Sequence, residues 1–483
     1  MEQNNPMPLK LNMKRTFIIG FAFFGILLLW QVYDLWCPPL LTEMFKNVLS
    51  ARRGGAVVDD TEVQYLVGVM MALDNLAALI LMPIFGRLSD KTHTKLGKRM
   101  PYILVGTLVC AIAFPFIPVF YHFNNIVGFV IMMGIVLVFA MMYRNPAVAL
   151  MPDLTPKPLR SKANGIINIM GYIGGAFATV VGLVFVLTDY LGDGNDTWAT
   201  GNIWAIIGPF LVASVLMVIS AVVLIFTVRE NELAEKLAPE LAEGEKYAAI
   251  ADSVENDDEQ PMSKANFVML ILILVAEFFW FMSDNGVATF MINYSRGFLG
   301  AKSSGNMIMT LVGGVGSVVG FAVGGFIADK IGRKWTIVSG LALAILGYIG
   351  WTIFQFAIGK GKFDDASGYY GFPFYLYIVW GLKGFGMSLV HLNSFPMVVE
   401  LCSKKKVGQF TGYYYMASMA AQTITPILLG LLLRIDAFDW SILPIYALIC
   451  SGISIAVFLF VKNIKAHKVA NAKGLEGLGA GDD

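Results

Sequence analysis

Long apolar runs separated by short polar segments recur along nearly the whole chain, at 16–40, 63–85, 101–121, 126–150, 163–188, 204–227, 265–291, 303–328, 335–358, 372–399, 408–434 and 440–462. Each can cross a bilayer as an α-helix, which takes about 20 predominantly apolar residues. Helices suit such runs because every backbone polar group is satisfied within the segment. The pattern predicts an all-α membrane protein with twelve transmembrane helices. The first run, Thr16 to Leu40, exceeds the apolar core of a signal peptide and no small-residue cleavage site follows it, so it is expected to stay as a spanning helix.

Charge orients this array. If the polar segments alternate between the two sides, starting with the N-terminus, one side holds 25 Lys and Arg and the other 7, while Arg144, Lys383 and Arg434 lie in or at the ends of spans. Basic residues accumulate on the cytoplasmic side, so both termini are expected there. The overall net charge is +1, which gives no reason to expect nucleic acid as a partner. The four cysteines, Cys37, Cys110, Cys402 and Cys450, have no CxxC spacing and read as small apolar residues. No metal site is expected.

The polar segment Arg229 to Lys264 divides the spans six and six and holds eleven acidic and four basic residues. Its stretch "ENELAEKLAPELAEGEKYAAI" is compatible with a surface amphipathic helix, but a solvated linker is the expectation. The implied organisation is a first six-helix bundle at 1–228, an acidic linker at 229–264, a second bundle at 265–463 and a cytoplasmic tail at 464–483.

The halves repeat. "GRLSDKTHTKLGKR" begins at Gly86 after the second run, and "GFIADKIGRK" begins at Gly325 after the eighth. Both read G-x-x-x-D-K, a short gap, then G and two basic residues, with four extra residues in the first gap. Asp153 and Gly165 are twelve residues apart, as are Glu400 and Gly412. Substrate sites in transporters built from repeats lie near the midplane between them.

These residues resemble the major facilitator superfamily. The loop "GRLSDKTHTKLGKRMPY" is similar to the G-x-x-x-D-x-T-x-T-x-x-G-[KR]-x-x-P-[YFW] pattern of its glycoside-pentoside-hexuronide branch, which includes melibiose carriers. The stretch "NPAVALMPDLTPKPLRSKANGI", Asn145 to Ile166, resembles sucrose-transporter-like relatives. The resemblance implies two bundles rocking about a central site, moving a sugar together with a proton or a sodium ion. It implies neither chemistry on the substrate nor a cofactor. It also implies a cell-membrane location, with the lipid bilayer and a small molecule as partners.

Gly86, Arg87, Asp90, Gly97 and Arg99 form the first loop. Asp90 and Asp329 each end a helix beside basic residues. In the superfamily such an Asp meets cations and a neighbouring helix N-terminus, which favours an anion. Asp153 with Arg87, Arg99 and Arg160, and Glu400 with Arg333, Lys334 and Lys404 to Lys406, are expected to complete two charge clusters that latch the cytoplasmic side. Glycines at four-residue spacing, Gly171 and Gly175 and again Gly316, Gly320 and Gly324, are expected to pack helices closely.

An ionisable group inside a span is costly and therefore a functional candidate. These are Asp34, Asp74, Arg144, Glu277, Asp284, Lys383 and His391. Glu277, Trp280 and Asp284 share one face of a helix; Trp380 and Lys383 are neighbours, as are Trp30, Tyr33 and Asp34. Carboxylates accept hydrogen bonds from hydroxyls and an indole covers an apolar sugar face, so these residues and Arg144 are the expected substrate-binding set. Asp74 is the first choice for coupling, then Glu277 and Asp34. Melibiose carriers place paired aspartates in span two for sodium, whereas this chain has Asp74 beside Asn75, so a proton is the better-supported ion. Sodium-coupled sugar symport and export of a drug or metabolite remain as alternatives. No HExxH, G-x-S-x-G or P-loop supports an intramembrane enzyme.

Overall fold

A computed structural model of the chain describes residues 9–191, 201–254, 264–300, 303–358, 372–401, 407–435 and 438–462. The tail at 464–483, Cys402 and Lys404 to Lys406 lie outside the described residues. The first half comprises α1 (Met13–Arg52), α2 (Asp60–Lys91), α3 (Met100–Ala113), α4 (Phe116–His122), α5 (Ile126–Asp153), α6 (Arg160–Val184), the single turn α7 (Thr188–Leu191) and α8 (Trp204–Thr227). After α9 (Glu230–Val254), the second half comprises α10 (Lys264–Tyr294), α11 (Ser303–Ile331), α12 (Arg333–Ile358), α13 (Phe374–Val399), α14 (Val407–Leu433) and α15 (Ile442–Phe460). No strand occurs among the described residues.

Eleven helices are long and apolar enough to cross a membrane among those residues. The twelfth, α13, has 26 residues and carries Lys383, His391 and Asn393, which dilute its apolar character. Several boundaries differ from the expected ones for identifiable reasons. Helix α1 has 40 residues, about 60 Å at 1.5 Å per residue, and so projects well beyond a hydrocarbon layer of about 30 Å. The third span breaks at Phe114 and Pro115 into α3 and α4, because proline has no N–H to continue the ladder. Helix α10 runs into one π-turn, Ser295–Leu299, which carries Arg296.

Packing repeats between the halves. In the first, α1 packs on α6 and α8, α5 on α2 and α3, and α3 on α8; in the second, α10 packs on α14 and α15, α13 on α11 and α12, and α12 on α15. The halves meet along two related seams, α2 with α14 and α6 with α11. The expected glycine stripe is used: Gly316 and Gly320 lie against Gly381 and Ser388 of α13.

The seam between α2 and α14 is tightest far from the basic loops. A methyl group on Gly68 would sit 2.0 Å from the Pro426 carbonyl oxygen, and one on Gly430 would sit 2.6 Å from that of Gln64. Only hydrogen fits between backbones at that separation. The halves therefore close at the end opposite the basic loops, and a cavity opens between them toward the basic-loop end.

The expected solvated linker is corrected over residues 230–254. These form α9, which lies against the turn Lys157–Leu159, where Gly244 meets Pro156. Acidic composition gave no sign of this contact because a few interfacial residues make it.

Candidate functional site

The cavity has a volume of about 580 Å³ and draws its walls from both halves, within the range of small-molecule sites. From the first half come Trp30 and Asp34 of α1, Asp74, Asn75 and Met82 of α2, and Arg144 and Asn145 of α5. Four of the expected residues, Trp30, Asp34, Asp74 and Arg144, thus share one chamber. Trp30 stands edge-on to Tyr33, with ring centroids 5.6 Å apart. Tyr33 itself is buried behind the wall, beside Asp74 but outside hydrogen-bond geometry, and Asp74 Oδ2 has no hydrogen-bond partner.

The second half corrects the expectation. Glu277, Trp280, Asp284, Trp380 and Lys383 do not line this cavity. Its α10 wall is Phe281, Asn285, Ala288 and Thr289, which lies one residue, about 100° of helical rotation, from the Glu277–Trp280–Asp284 face. That face packs inward. Trp280 is stacked on Phe281 at 3.8 Å and meets His391 edge-on at 4.4 Å. Lys383 Nζ lies 2.5 Å from Asp284 Oδ1, with its ammonium 5.5 Å from the Trp380 ring and 5.9 Å from the Tyr348 ring. This partly buried ion pair, framed by aromatics, satisfies two intramembrane charges. Glu277 is 0% exposed and neither carboxyl oxygen has a hydrogen-bond partner.

Sequence reasoning also missed neutral polar groups. Tyr414, Ser418, Gln422 and Pro426 of α14 line the cavity at four-residue intervals, with His391 of α13 beside them. His391 is already expected as an ionisable group within a span, whereas the α14 side chains are uncharged at neutral pH and carry no such signal in the sequence. Asn75 Nδ2 donates to the Gln422 carbonyl oxygen at 3.3 Å, closing the chamber's far wall.

A second missed group joins the halves at the closed end. Arg296, 1% exposed, bonds Glu43 of α1 and stands 3.8 Å from Asp60 of α2. Lys46 reaches Asp60 at 2.6 Å and Glu43 at 3.4 Å. Deeper in, Asn293 Nδ2 donates to Thr42 Oγ1 at 3.0 Å and to Gln64 Oε1 at 3.3 Å. A usable signal existed: Lys46 and Arg296 are two of the seven basic residues expected on the sparsely charged side.

At the basic-loop end the charges pair within their own halves. Arg99 Nη2 lies 2.5 Å from Asp90 and its Nε 2.9 Å from Asp153; Lys98 reaches Asp153 at 3.0 Å. Burial disfavours the Arg99 guanidinium charge, but Asp153 and Asp90 outweigh burial and raise its pKa. Arg333 meets Glu400 at 2.9 Å. The expected clusters are trimmed: Arg87 and Asp329 are exposed, Lys334 donates to the Leu459 carbonyl, and Arg160 donates to the Thr155 and Pro152 carbonyls. Gly86 faces Asn145, whose amide bonds the Met82 carbonyl. Gly97 adopts φ +117°, a backbone that disfavours any side chain.

Two repeated six-helix bundles around a central chamber, shut at one end, are the layout on which repeat-built membrane transporters are organised. The chain belongs to the Major Facilitator Superfamily, whose profile matches residues 16–361 and 363–480, and it is an integral multi-pass membrane protein. It is 24% identical over 293 residues to the isoprimeverose transporter of Lactiplantibacillus pentosus, a match covering 59% of this chain and 56% of that protein. Among solved structures, a POT family transporter in complex with 5-aminolevulinic acid superposes with a TM-score of 0.62 at 12% identity, covering 93% of this chain and 95% of that one. A bacterial homologue of the lysosomal transporter Spinster, inward-facing and occupied, superposes with a TM-score of 0.57 at 13% identity, covering 93% and 94%. These two likenesses concern the fold.

Proposed function

We propose that this transporter moves a sugar or glycoside together with a proton, by alternating access of the central cavity. The composition of the cavity wall carries the reading. Trp30, Phe281, Tyr414 and Tyr415 supply ring faces, while Asn75, Asn145, Asn285 and Gln422 supply paired donors and acceptors among carboxylates. A ligand with apolar ring faces and a rim of hydroxyls matches both sets. The likeness to an isoprimeverose transporter points the same way.

Asp74 is the proposed coupling group. Its unpartnered Oδ2 at the cavity wall is costly as a bare charge, so loading a proton or a substrate hydroxyl changes its energy most. Asp34 opens onto the same chamber. Glu277, buried without a partner, is a further carrier within the second half. The positive-inside distribution assigns the basic-loop end to the cytoplasm, which makes the described state inward-open. Outward opening then requires Arg296 to leave Glu43 and Asp60.

The test is uptake into proteoliposomes with labelled mono- and disaccharides under separately imposed proton and sodium gradients. Accumulation driven by the proton gradient supports the reading. Accumulation under sodium alone replaces the ion, and no accumulation of any sugar removes the substrate class.

A further inference from the structure

The second glycine of the basic loop has an unexpected neighbour. Glu230, the first residue of α9, is 4% exposed although it opens a segment of acidic, polar composition. Its carboxylate accepts three successive backbone N–H groups, from Lys98 at 3.0 Å, Arg99 at 3.0 Å and Met100 at 3.1 Å. These lead into α3, of which Met100 is the first residue and Arg99 the N-cap, where amides lack helical partners and the helix dipole favours an anion. Asn231 completes the grip from the other side, donating its amide to the Thr94 and Lys95 carbonyls at 2.9 and 3.1 Å. Gly97 makes this possible: a Cβ there would sit 2.1 Å from the Glu230 carboxylate. Further along α9, Glu245 pairs with Lys157 at 3.7 Å, so the helix spans both basic-end loops of the first half.

We propose that Glu230 is a positioning residue of the gate: by clasping residues 97–100 it holds Arg99 between Asp90 and Asp153 and makes the linker helix a rigid part of the first half. The geometry separates two tasks. Arg99 uses its side chain for Asp90, Asp153 and Ser89, and its backbone N–H for Glu230. Without the carboxylate, the orphan amides of α3 turn to water and the turn before Arg99 loses the anchor that fixes its direction. The linker would then drag on the second half as a loose tether instead of moving as one body with the first. This inference rests on the reading that the halves move past each other during transport.

The test uses the full chain in two formats. In detergent, hydrogen exchange at Lys98, Arg99 and Met100 is compared for the wild type, Glu230→Ala and Glu230→Gln. We expect protection at those three amides to fall in Glu230→Ala, and to fall less in Glu230→Gln, which keeps one carbonyl acceptor. In proteoliposomes, Glu230→Ala is expected to lower the maximal transport rate about tenfold, the scale of a lost charge-assisted hydrogen bond. Because substrate never touches Glu230, KM should stay within about twofold, and in an Arg99→Gln background the added change should cost less than about twofold, since both act through one cluster. Unchanged amide protection, a full transport rate, or an equal further loss in the Arg99→Gln background would each overturn the proposal. If Glu230→Ala fails to fold, Glu230→Gln carries the same readouts. A wild type that moves no sugar counts against the substrate, while the exchange measurement still decides the clasp.

Discussion

Single side chains set how the cavity meets a ligand. Asn285 of α10 and Gln422 of α14 both line the cavity from the second half, and neither is ionisable, so replacing one removes hydrogen bonds without stranding a charge. Asn285→Ala or Gln422→Ala should raise KM about tenfold and leave the maximal rate largely intact, as expected for one lost net hydrogen bond; initial rates across a substrate series check this. Asp74→Asn acts differently. It should abolish uphill accumulation and spare exchange of substrate across the membrane, measured by counterflow, because the amide keeps the shape and loses the titrating proton. Intact accumulation would remove Asp74 from coupling. Asp90→Asn tests the other end: its partner Arg99 keeps Asp153, so insertion should be normal and transport slower.

At the scale of elements, the closed end is held by one buried arginine between two carboxylates and a lysine. Removing one partner of such a buried pair costs about 3 kcal/mol or more. Arg296→Gln should thus shift the balance between closed and open forms of that end by roughly a hundredfold. Spin labels at Val57 and Phe438, exposed in loops of opposite halves at that end, should report a longer-distance population. An unchanged distance distribution would show that helix packing at Gly68 and Gly430 closes the end alone. Much of the element plan was legible in the chain, because length and apolarity alone define a span in lipid. Faces were less legible. A shift of one residue on α10 exchanges Glu277, Trp280 and Asp284 for Phe281, Asn285 and Ala288, and the packing of α13, α14 and α15 against that helix decides which set faces the cavity. Helix α9 was less legible: its docking rests on Glu230, Asn231 and a stripe of Leu233, Leu237 and Leu241 within a long acidic segment that otherwise reads as solvated.

For the whole molecule, the repeat explains why charges at the basic-loop end pair within halves. In the described state that end is open, so Arg99 serves Asp90 and Asp153, and Arg333 serves Glu400, each on its own side. The bridging charges, Arg296 with Glu43 and Asp60, sit where the halves meet. Exchange of one set of cross-half contacts for another is what two rigid bundles require to expose a single cavity alternately. The central claim is that this exchange carries a sugar with a proton. The most direct measurement is uptake by the purified protein in proteoliposomes, with labelled mono- and disaccharides and an imposed inward proton gradient. The account predicts that at least one sugar accumulates above its external concentration and that a protonophore collapses the accumulation. Failure of every sugar to accumulate, with the same vesicles shown to hold the gradient, would contradict it.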